Sequence, residues 1–202
     1  MIDKRSKIFL AGHSGMVGSS VLKLLKKKRY KNILIIKKEK LNLLDQNKVQ
    51  LFLKKIKPKL VIIAAARAGG ILANSKNKAK FIYENLQIQN NLIHSSYLAG
   101  VKNLIFLGSS CIYPGNIKKK INEEDLLSGN LERTNDSYAI AKIAGLMMCR
   151  DYSKNFKLNY KALMPTNLYG PGDNYDLNNS HFYPALLKKI YLAKIKKKKV
   201  IT

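Results

Sequence analysis

The sequence has few of the residues that mark secreted, metal-binding or membrane proteins. It contains no Trp, five Pro and two Cys in 202 residues. Cys111 and Cys149 are too few for a disulfide framework and lack the spacing of metal ligands, so no metal site is expected. The apolar run Ile8–Ala11 is too short for a signal peptide, and no run approaches the roughly 20 apolar residues of a membrane span. We therefore expect a reduced, cytoplasmic protein without a membrane partner.

Acidic residues are also scarce. Lys and Arg number 38 against 12 Asp and Glu, which gives a net charge of +26. Such a charge is typical of proteins that bind nucleic acid or anionic membranes. The lysine runs are scattered, at 26–29, 118–120 and 196–199, and are not interleaved with aromatic residues as in single-strand binders. We interpret the charge as a bias of composition and expect no specific nucleic-acid partner.

Short apolar runs alternate with helical patterns along the chain. The runs predict strands at 7–11, 32–36, 60–64, 103–107 and 160–164. The helical patterns and their capping residues predict helices at 16–29, 45–57, 77–99, 137–155 and 180–194. Apolar strands separated by helices indicate a parallel sheet covered on both faces. The predicted fold class is α/β, a doubly wound parallel sheet of the Rossmann type, whose ligands bind beyond the carboxyl ends of the strands.

A glycine-rich turn follows the first strand and opens the first helix. Its spacing is G-x-x-G-x-x-G, from Gly12 to Gly18. Residues without a Cβ let backbone N–H groups approach a pyrophosphate at a helix N-terminus, so the turn predicts a dinucleotide site. The second strand ends in Lys37-Lys38, where NAD enzymes usually place an acidic residue. Two cations at this place favour the 2′-phosphate of NADP over NAD.

A tyrosine and a lysine lie four residues apart in the predicted helix 137–155. Tyr138 and Lys142 therefore share one helix face. A neighbouring ammonium is expected to lower the pKa of the phenol, which could then protonate a carbonyl that is being reduced. Ser109, at the end of the fourth strand, could donate a second hydrogen bond to that carbonyl. Residues i and i+2 of an extended segment project to the same side, so Cys111 is expected to face the same substrate as Ser109.

These features together resemble the extended short-chain dehydrogenase/reductases, and within them the enzymes that epimerise and reduce GDP-4-keto-6-deoxy sugars. The stretches that carry the resemblance are 12–18, 41–45, 108–114, 138–145, 164–171 and 179–181. The resemblance implies that the substrate is GDP-4-dehydro-6-deoxy-D-mannose and that the cofactor is NADP(H). It implies that Cys111 and His181 are base and acid in epimerisation at C3 and C5. It also implies that Ser109, Tyr138 and Lys142 serve reduction at C4.

The resemblance further implies where cofactor and substrate are bound. The expected cofactor contacts are Gly12, His13, Ser14, Gly15, Met16, Val17, Gly18, Lys38, Leu107, Gly108, Ser109, Ser110, Lys142, Pro165, Thr166, Asn167, Leu168 and His181. Lys189 is expected to meet the substrate diphosphate. Ser14 and Arg67 stand where Arg and Lys are expected, so Ser14 lacks a charge for phosphate and Arg67 keeps one. Cys149 and His94 match no such position and are interpreted as structural.

The resemblance also predicts the organisation of the chain. We expect a dinucleotide-binding domain over 1–180 and the start of a substrate-binding region over 181–202. Related chains continue past Thr202 into a substrate lobe, so we expect a fragment or a shortened gene. Homodimerisation is expected through the helices 77–99 and 137–155. The alternatives are a non-catalytic NADP-binding protein, a sibling epimerase or dehydratase, and a basic nucleic-acid binder.

Overall fold

A single parallel sheet forms the centre of the protein in the computed structural model, which describes residues 2–198 and 200. Its strands are β1 (Ile8–Ala11), β2 (Ile33–Leu34), β3 (Leu60–Ile63), β4 (Asn103–Leu107) and β5 (Asn159–Leu163). Their order across the sheet is β2-β1-β3-β4-β5, and every neighbouring pair is parallel. The order reverses direction at β1, which is the arrangement of a doubly wound sheet. The predicted fold class is thereby confirmed.

Six α-helices connect and flank the strands in the described part of the chain. They are α1 (Met16–Lys27), α2 (Gln46–Ile56), α3 (Ile71–Lys76), α4 (Lys78–Leu98), α5 (Asp136–Phe156) and α6 (Phe182–Ile195). Asp45 caps α2 as expected, because its carboxylate accepts a 3.0 Å hydrogen bond from the Lys48 N–H. Gly100 follows α4 with φ +72°, a conformation that ends helices and favours glycine. The sequence did not predict α3, and β2 is shorter than expected.

The core lies mainly between the sheet and the face formed by α2, α4 and α5. Side chains that alternate along the strands, such as Phe9, Val61 and Phe106, are buried there against Val49 and Leu92. On the opposite face, α1 packs on a smaller cluster around Ile8, Leu10 and Ile62. Cover on this second face is incomplete at β5 within the described residues, where Lys161 and Leu163 are exposed, Leu163 by 50%.

Candidate active site

The turn between β1 and α1 is built by close backbone approach. Gly12 has φ +85°, and a Cβ there would collide with the backbone of Ala64 and Ala65 after β3. A Cβ on Gly18 would collide with the Gly12 carbonyl. Gly15 precedes α1 without a side-chain cap, and the first turn of α1 carries no acidic residue. The first N–H groups of this helix therefore have no side-chain acceptor and fit an anionic pyrophosphate.

Cations surround the next part of the predicted cofactor site. Lys37 and Lys38 follow β2 and are both exposed. Arg67, in the loop after β3, makes a two-point ion pair with Glu84 of α4, with distances of 2.5 and 3.3 Å. The pKa of the Glu84 carboxyl lies below its ordinary value. The hydrogen bond from Arg67 is the largest cause, and the charges of Lys80 and Lys38 lower it further. Arg67 thus keeps a positive charge at this edge, although Glu84 partly neutralises it.

The ends of β4 and β5 are joined just beyond the sheet. The Gly108 N–H donates to the Leu163 carbonyl at 2.8 Å, and the Ser110 N–H donates to the Pro165 carbonyl at 3.1 Å. A Cβ on Gly108 would lie 2.5 Å from the Met164 sulfur, so a larger residue there would require the Met164 side chain to move. Two predicted cofactor segments, 107–110 and 165–168, are therefore side by side. Thr166, Asn167 and Leu168 remain exposed at this edge.

Ser109 and Cys111 contact each other directly. The Ser109 Oγ lies 2.8 Å from the Cys111 Sγ, and it also accepts a 3.4 Å hydrogen bond from the Cys111 N–H. The sequence analysis expected these two side chains to share a side because the segment would be extended. That reason is wrong, because the segment is not extended. Ser109 caps a 3-10 turn at Ser110–Ile112, and the turn folds the thiol back toward the hydroxyl.

Lys142 is buried beside this pair. Only 3% of the surface of Lys142 is exposed, and its Nζ donates a hydrogen bond to the Leu107 carbonyl at 2.7 Å. The ammonium lies 4.7 Å from the centroid of the Phe106 ring and 5.6 Å from that of Tyr138. Burial lowers the pKa of Lys142 to about 8, partly opposed by the negative charge that Cys111 can carry. Ser109, Cys111, Tyr138 and Lys142 thus meet at the carboxyl end of β4.

The electrostatics of this cluster differ from the expectation for Tyr138. Burial raises the pKa of its phenol, a Cys111 thiolate raises it further, and the nearby Ser109 hydroxyl partly opposes both. The predicted lowering by Lys142 is wrong for this arrangement, because the ammonium donates to Leu107 instead of the phenol. Burial also raises the pKa of Cys111, which Ser109 and Lys142 partly offset. In this state the cluster keeps the phenol and the thiol protonated at neutral pH.

The last two predicted residues lie apart from the cluster. His181 is exposed and directly precedes α6, and Lys189 is exposed on the same helix. The segment before His181 is fixed to the loop after β3, because the Gly70 N–H donates to the Asn179 carbonyl at 3.0 Å. A Cβ on Gly70 would collide with the Ser180 carbonyl. Among the described residues, His181 makes no hydrogen bond with the four clustered side chains.

Sequence reasoning missed the buried amides of α4. The Asn85 side chain accepts from the Arg67 N–H and donates to the Arg67 carbonyl, both at 2.9 Å, and so fixes the loop after β3. Gln89, one turn further, donates to the Ala141 carbonyl beside Lys142 at 2.6 Å. Each is only 2% exposed. The available signal was two amide residues four positions apart, on the helix face that also carries the apolar residues Phe81 and Leu92.

Known proteins resemble this chain in sequence. The sequence pattern of the NAD dependent epimerase/dehydratase family matches residues 8–202. The chain belongs to this family. It is 50% identical over 190 residues to a GDP-L-fucose synthase of Sinorhizobium fredii, and 44% identical over 189 residues to one of Escherichia coli. These alignments cover 94% of this chain and 60% or 59% of the relatives, so the chain spans about three fifths of their length.

Solved structures give the same fold. A GDP-L-fucose synthetase of Naegleria fowleri bound to NADP superposes with a TM-score of 0.88 at 29% identity, covering 100% of this chain and 66% of that one. A GDP-6-OMe-4-keto-L-xylo-heptose reductase of Campylobacter jejuni superposes with a TM-score of 0.92 at 41% identity, covering 96% and 56%. The chain is therefore similar both to GDP-L-fucose synthases and to a GDP-heptose reductase.

No described helix of this family member combines the length and apolar character that a membrane crossing requires.

Proposed function

We propose that the protein is an NADP-dependent epimerase/reductase that converts GDP-4-dehydro-6-deoxy-D-mannose to GDP-L-fucose in nucleotide-sugar biosynthesis. The observation that carries the proposal is the meeting of Ser109, Cys111, Tyr138 and Lys142 at the carboxyl end of β4. This edge of a doubly wound sheet is where ligands bind. The similarity to GDP-L-fucose synthases supports the choice of substrate.

NADPH, when bound, supplies the hydride. The uncapped start of α1 is suited to its pyrophosphate, and Lys38 to its 2′-phosphate. The joined segments 107–110 and 165–168 provide backbone groups for the nicotinamide end. The fit rests on the close-packed glycines and on the exposed cations, which leave room and charge for a phosphorylated dinucleotide.

Reduction at C4 uses the hydroxyl groups of Ser109 and Tyr138. Both donate hydrogen bonds to the C4 oxygen, and Tyr138 transfers its proton as negative charge develops there. In the ligand-free arrangement its raised pKa holds that proton in place. Lys142 does not lower the pKa of the phenol in the ligand-free arrangement, but its ammonium lies 5.6 Å from the centroid of the ring, and we propose that its charge favours the phenolate that proton transfer leaves behind.

Epimerisation uses Cys111 and His181. The C4 ketone acidifies the protons on C3 and C5, so a Cys111 thiolate can remove one and become a thiol while the electron pair moves to the C4 oxygen. His181 then returns a proton to the opposite face as the ketone re-forms. An imidazole can both hold and release a proton, which suits this role. His181 is exposed at the start of α6, in the proposed substrate-binding region 181–202, with Lys189 available to the diphosphate.

A second candidate is reduction of a GDP-heptose ketone. It is favoured by the structural similarity to the Campylobacter GDP-heptose reductase. The presence of Cys111 and His181 favours the epimerase/reductase, because simple reduction needs neither a base nor an acid at C3 and C5.

The test follows NADPH absorbance and solvent deuterium incorporation in parallel. It uses the 202-residue chain and a chimera that adds the C-terminal part of the Sinorhizobium fredii relative. Deuterium at C3 and C5 with NADPH oxidation is the expected result. Reduction of the heptose substrate alone would favour the second candidate. NADPH binding without turnover in either protein would support a non-catalytic role, and salt-resistant binding of a DNA duplex would favour the nucleic-acid alternative.

A further inference from the structure

Gln89 is a buried polar residue for which the proposed chemistry has no direct use. It lies on α4, is 2% exposed, and its Nε2 donates to the Ala141 carbonyl at 2.6 Å. Ala141 directly precedes Lys142 on α5. This hydrogen bond therefore joins α4 to the turn of α5 that presents the lysine and Tyr138.

Gly145 makes the contact sterically possible. Within α5 the Ala141 carbonyl already faces the N–H of Gly145, four residues on. A Cβ on Gly145 would lie 2.9 Å from the Gln89 Cδ and 2.5 Å from the Phe106 Cζ. Glycine here lets a second donor, the Gln89 amide, reach the same carbonyl.

Phe106 packs next to both Gly145 and the Lys142 ammonium. Its ring packs against Gly145 on one side, and its centroid lies 4.7 Å from the Lys142 Nζ. The same Nζ donates to the carbonyl of Leu107, the next residue of β4. The position of α5 relative to α4 and β4 therefore decides whether the ammonium keeps both contacts.

We propose that Gln89 is a positioning residue for Lys142, whose hydrogen bond to the Ala141 carbonyl, through the gap at Gly145, holds the ammonium against Leu107 and Phe106. The functional meaning of this proposal rests on the role given to Lys142 in reduction. Its structural claim concerns the surroundings of one amino group, and can be measured without turnover.

The groups that face the Lys142 ammonium define the measurement. Cys111 of the 3-10 turn and Tyr138 of the same helix are the titratable ones. Strand β4 contributes the Phe106 ring and the Leu107 carbonyl, and α4 contributes the neutral Gln89. A change at Gln89 therefore alters hydration of the ammonium without adding or removing a charge.

The experiment is an NMR titration of protein labelled with 13C,15N-lysine. The Lys142 signal is assigned by its loss in Lys142→Arg. Gln89→Met keeps the length of the side chain and removes the amide donor. Water should then reach the Lys142 ammonium, and the midpoint of its titration should rise from about 8 toward 10.5. We expect a rise of about half a pH unit or more. NADPH should bind about fivefold more weakly, because the displaced Lys142 ammonium should lose the one hydrogen bond that it is expected to make with the cofactor.

The matched control is Gln87→Met, the same substitution two residues earlier on α4. The Gln87 amide is half-buried and contacts Asn91 at 3.4 Å, away from α5. This control should titrate as the unmutated protein does. Gly145→Ala is a second, independent variant, because its methyl group displaces Gln89 and Phe106 while favouring the helix.

The outcomes separate the two proposals. The positioning role is overturned if the titration midpoint of Lys142 is unchanged in Gln89→Met. If that variant does not fold, an unchanged midpoint in Gly145→Ala overturns it. Failure of the unmutated protein to bind NADPH refutes the proposed function instead, whereas a shifted Lys142 midpoint still supports the positioning role.

Discussion

The Ser109 hydroxyl and the Cys111 thiol share a hydrogen bond of 2.8 Å. It joins a residue proposed for hydride chemistry at C4 to the residue proposed as the base at C3 and C5. Cys111 also lies near the Lys142 ammonium, whose charge favours the thiolate. In the proposed mechanism both half-reactions use side chains of this cluster, and single substitutions should separate them.

Tyr138→Phe removes the proton donor to the C4 oxygen. Reduction should fall by about 10²-fold or more, the usual contribution of a positioned acid. Deuterium exchange at C3 and C5 should persist, because it needs only base, acid and a polarised ketone. The two rates are measured in one reaction, with Tyr30→Phe, between α1 and β2, as the control. Equal loss of both activities would contradict the division of roles.

Cys111→Ser should have the opposite effect. It replaces the thiol with a hydroxyl of far higher pKa, so deuterium exchange should be suppressed while slow NADPH oxidation on the unepimerised ketone remains possible. Cys149→Ser is the matched control, since Cys149 is buried in the core at 1% exposure. That control should lose stability by roughly 1–3 kcal/mol and keep exchange. Exchange by Cys111→Ser at the unmutated rate would show that the thiol is not the base.

Lys38→Asp should weaken NADPH more than NADH. The lysine is exposed after β2, where a 2′-phosphate is expected, and the substitution places a negative charge there. Cofactor fluorescence titration gives both affinities, and the loss of one charge-assisted hydrogen bond predicts an effect of about tenfold on NADPH. Lys31→Asp, the same charge change before β2, is the control. Equal affinity of the unmutated protein for the two cofactors would rule out the preference.

The buried ammonium should make stability depend on pH. Lys142 has a pKa of about 8 when folded, below its ordinary 10.5, so the unfolded chain binds more protons between these values. The free energy of unfolding should therefore rise by about 1 kcal/mol from pH 7 to pH 9 relative to Lys142→Met, which removes the titration. Urea denaturation at the two pH values measures the difference. A difference that falls as pH rises would exclude a lysine buried in this way.

Homodimerisation is expected on the outer faces of α4 and α5. Tyr83 and Ile140 are exposed there, by 62% and 47% of their surfaces. Ile140→Glu should convert a dimer to monomers in light scattering, because a charge is costly within an apolar interface. Leu51→Glu on α2, at a position 69% exposed, should not. A monomeric unmutated protein, tested with its substrate-binding region complete, would contradict the expectation.

The sequence by itself determined the order of strands and helices, the glycine turn, and which residue types follow each strand. These follow from local rules, because an apolar run, a helical period or a missing Cβ acts over a few residues. Sequence also placed Tyr138 and Lys142 on one helix face, since the helix fixes that spacing. It overestimated β2 and missed α3, whose six residues give too little periodicity to recognise.

The tertiary structure alone decided how these pieces meet. Pairing of β4 between β3 and β5 brings Ser109 to Tyr138, and a 3-10 turn, not an extended strand, directs Cys111 toward Ser109. Burial sets the pKa of Lys142 and Tyr138, which no spacing reveals, because desolvation depends on neighbours distant in sequence. The contact of Gln89 with Ala141 joins residues 52 positions apart, and exists only because Gly145 lets two helices come close.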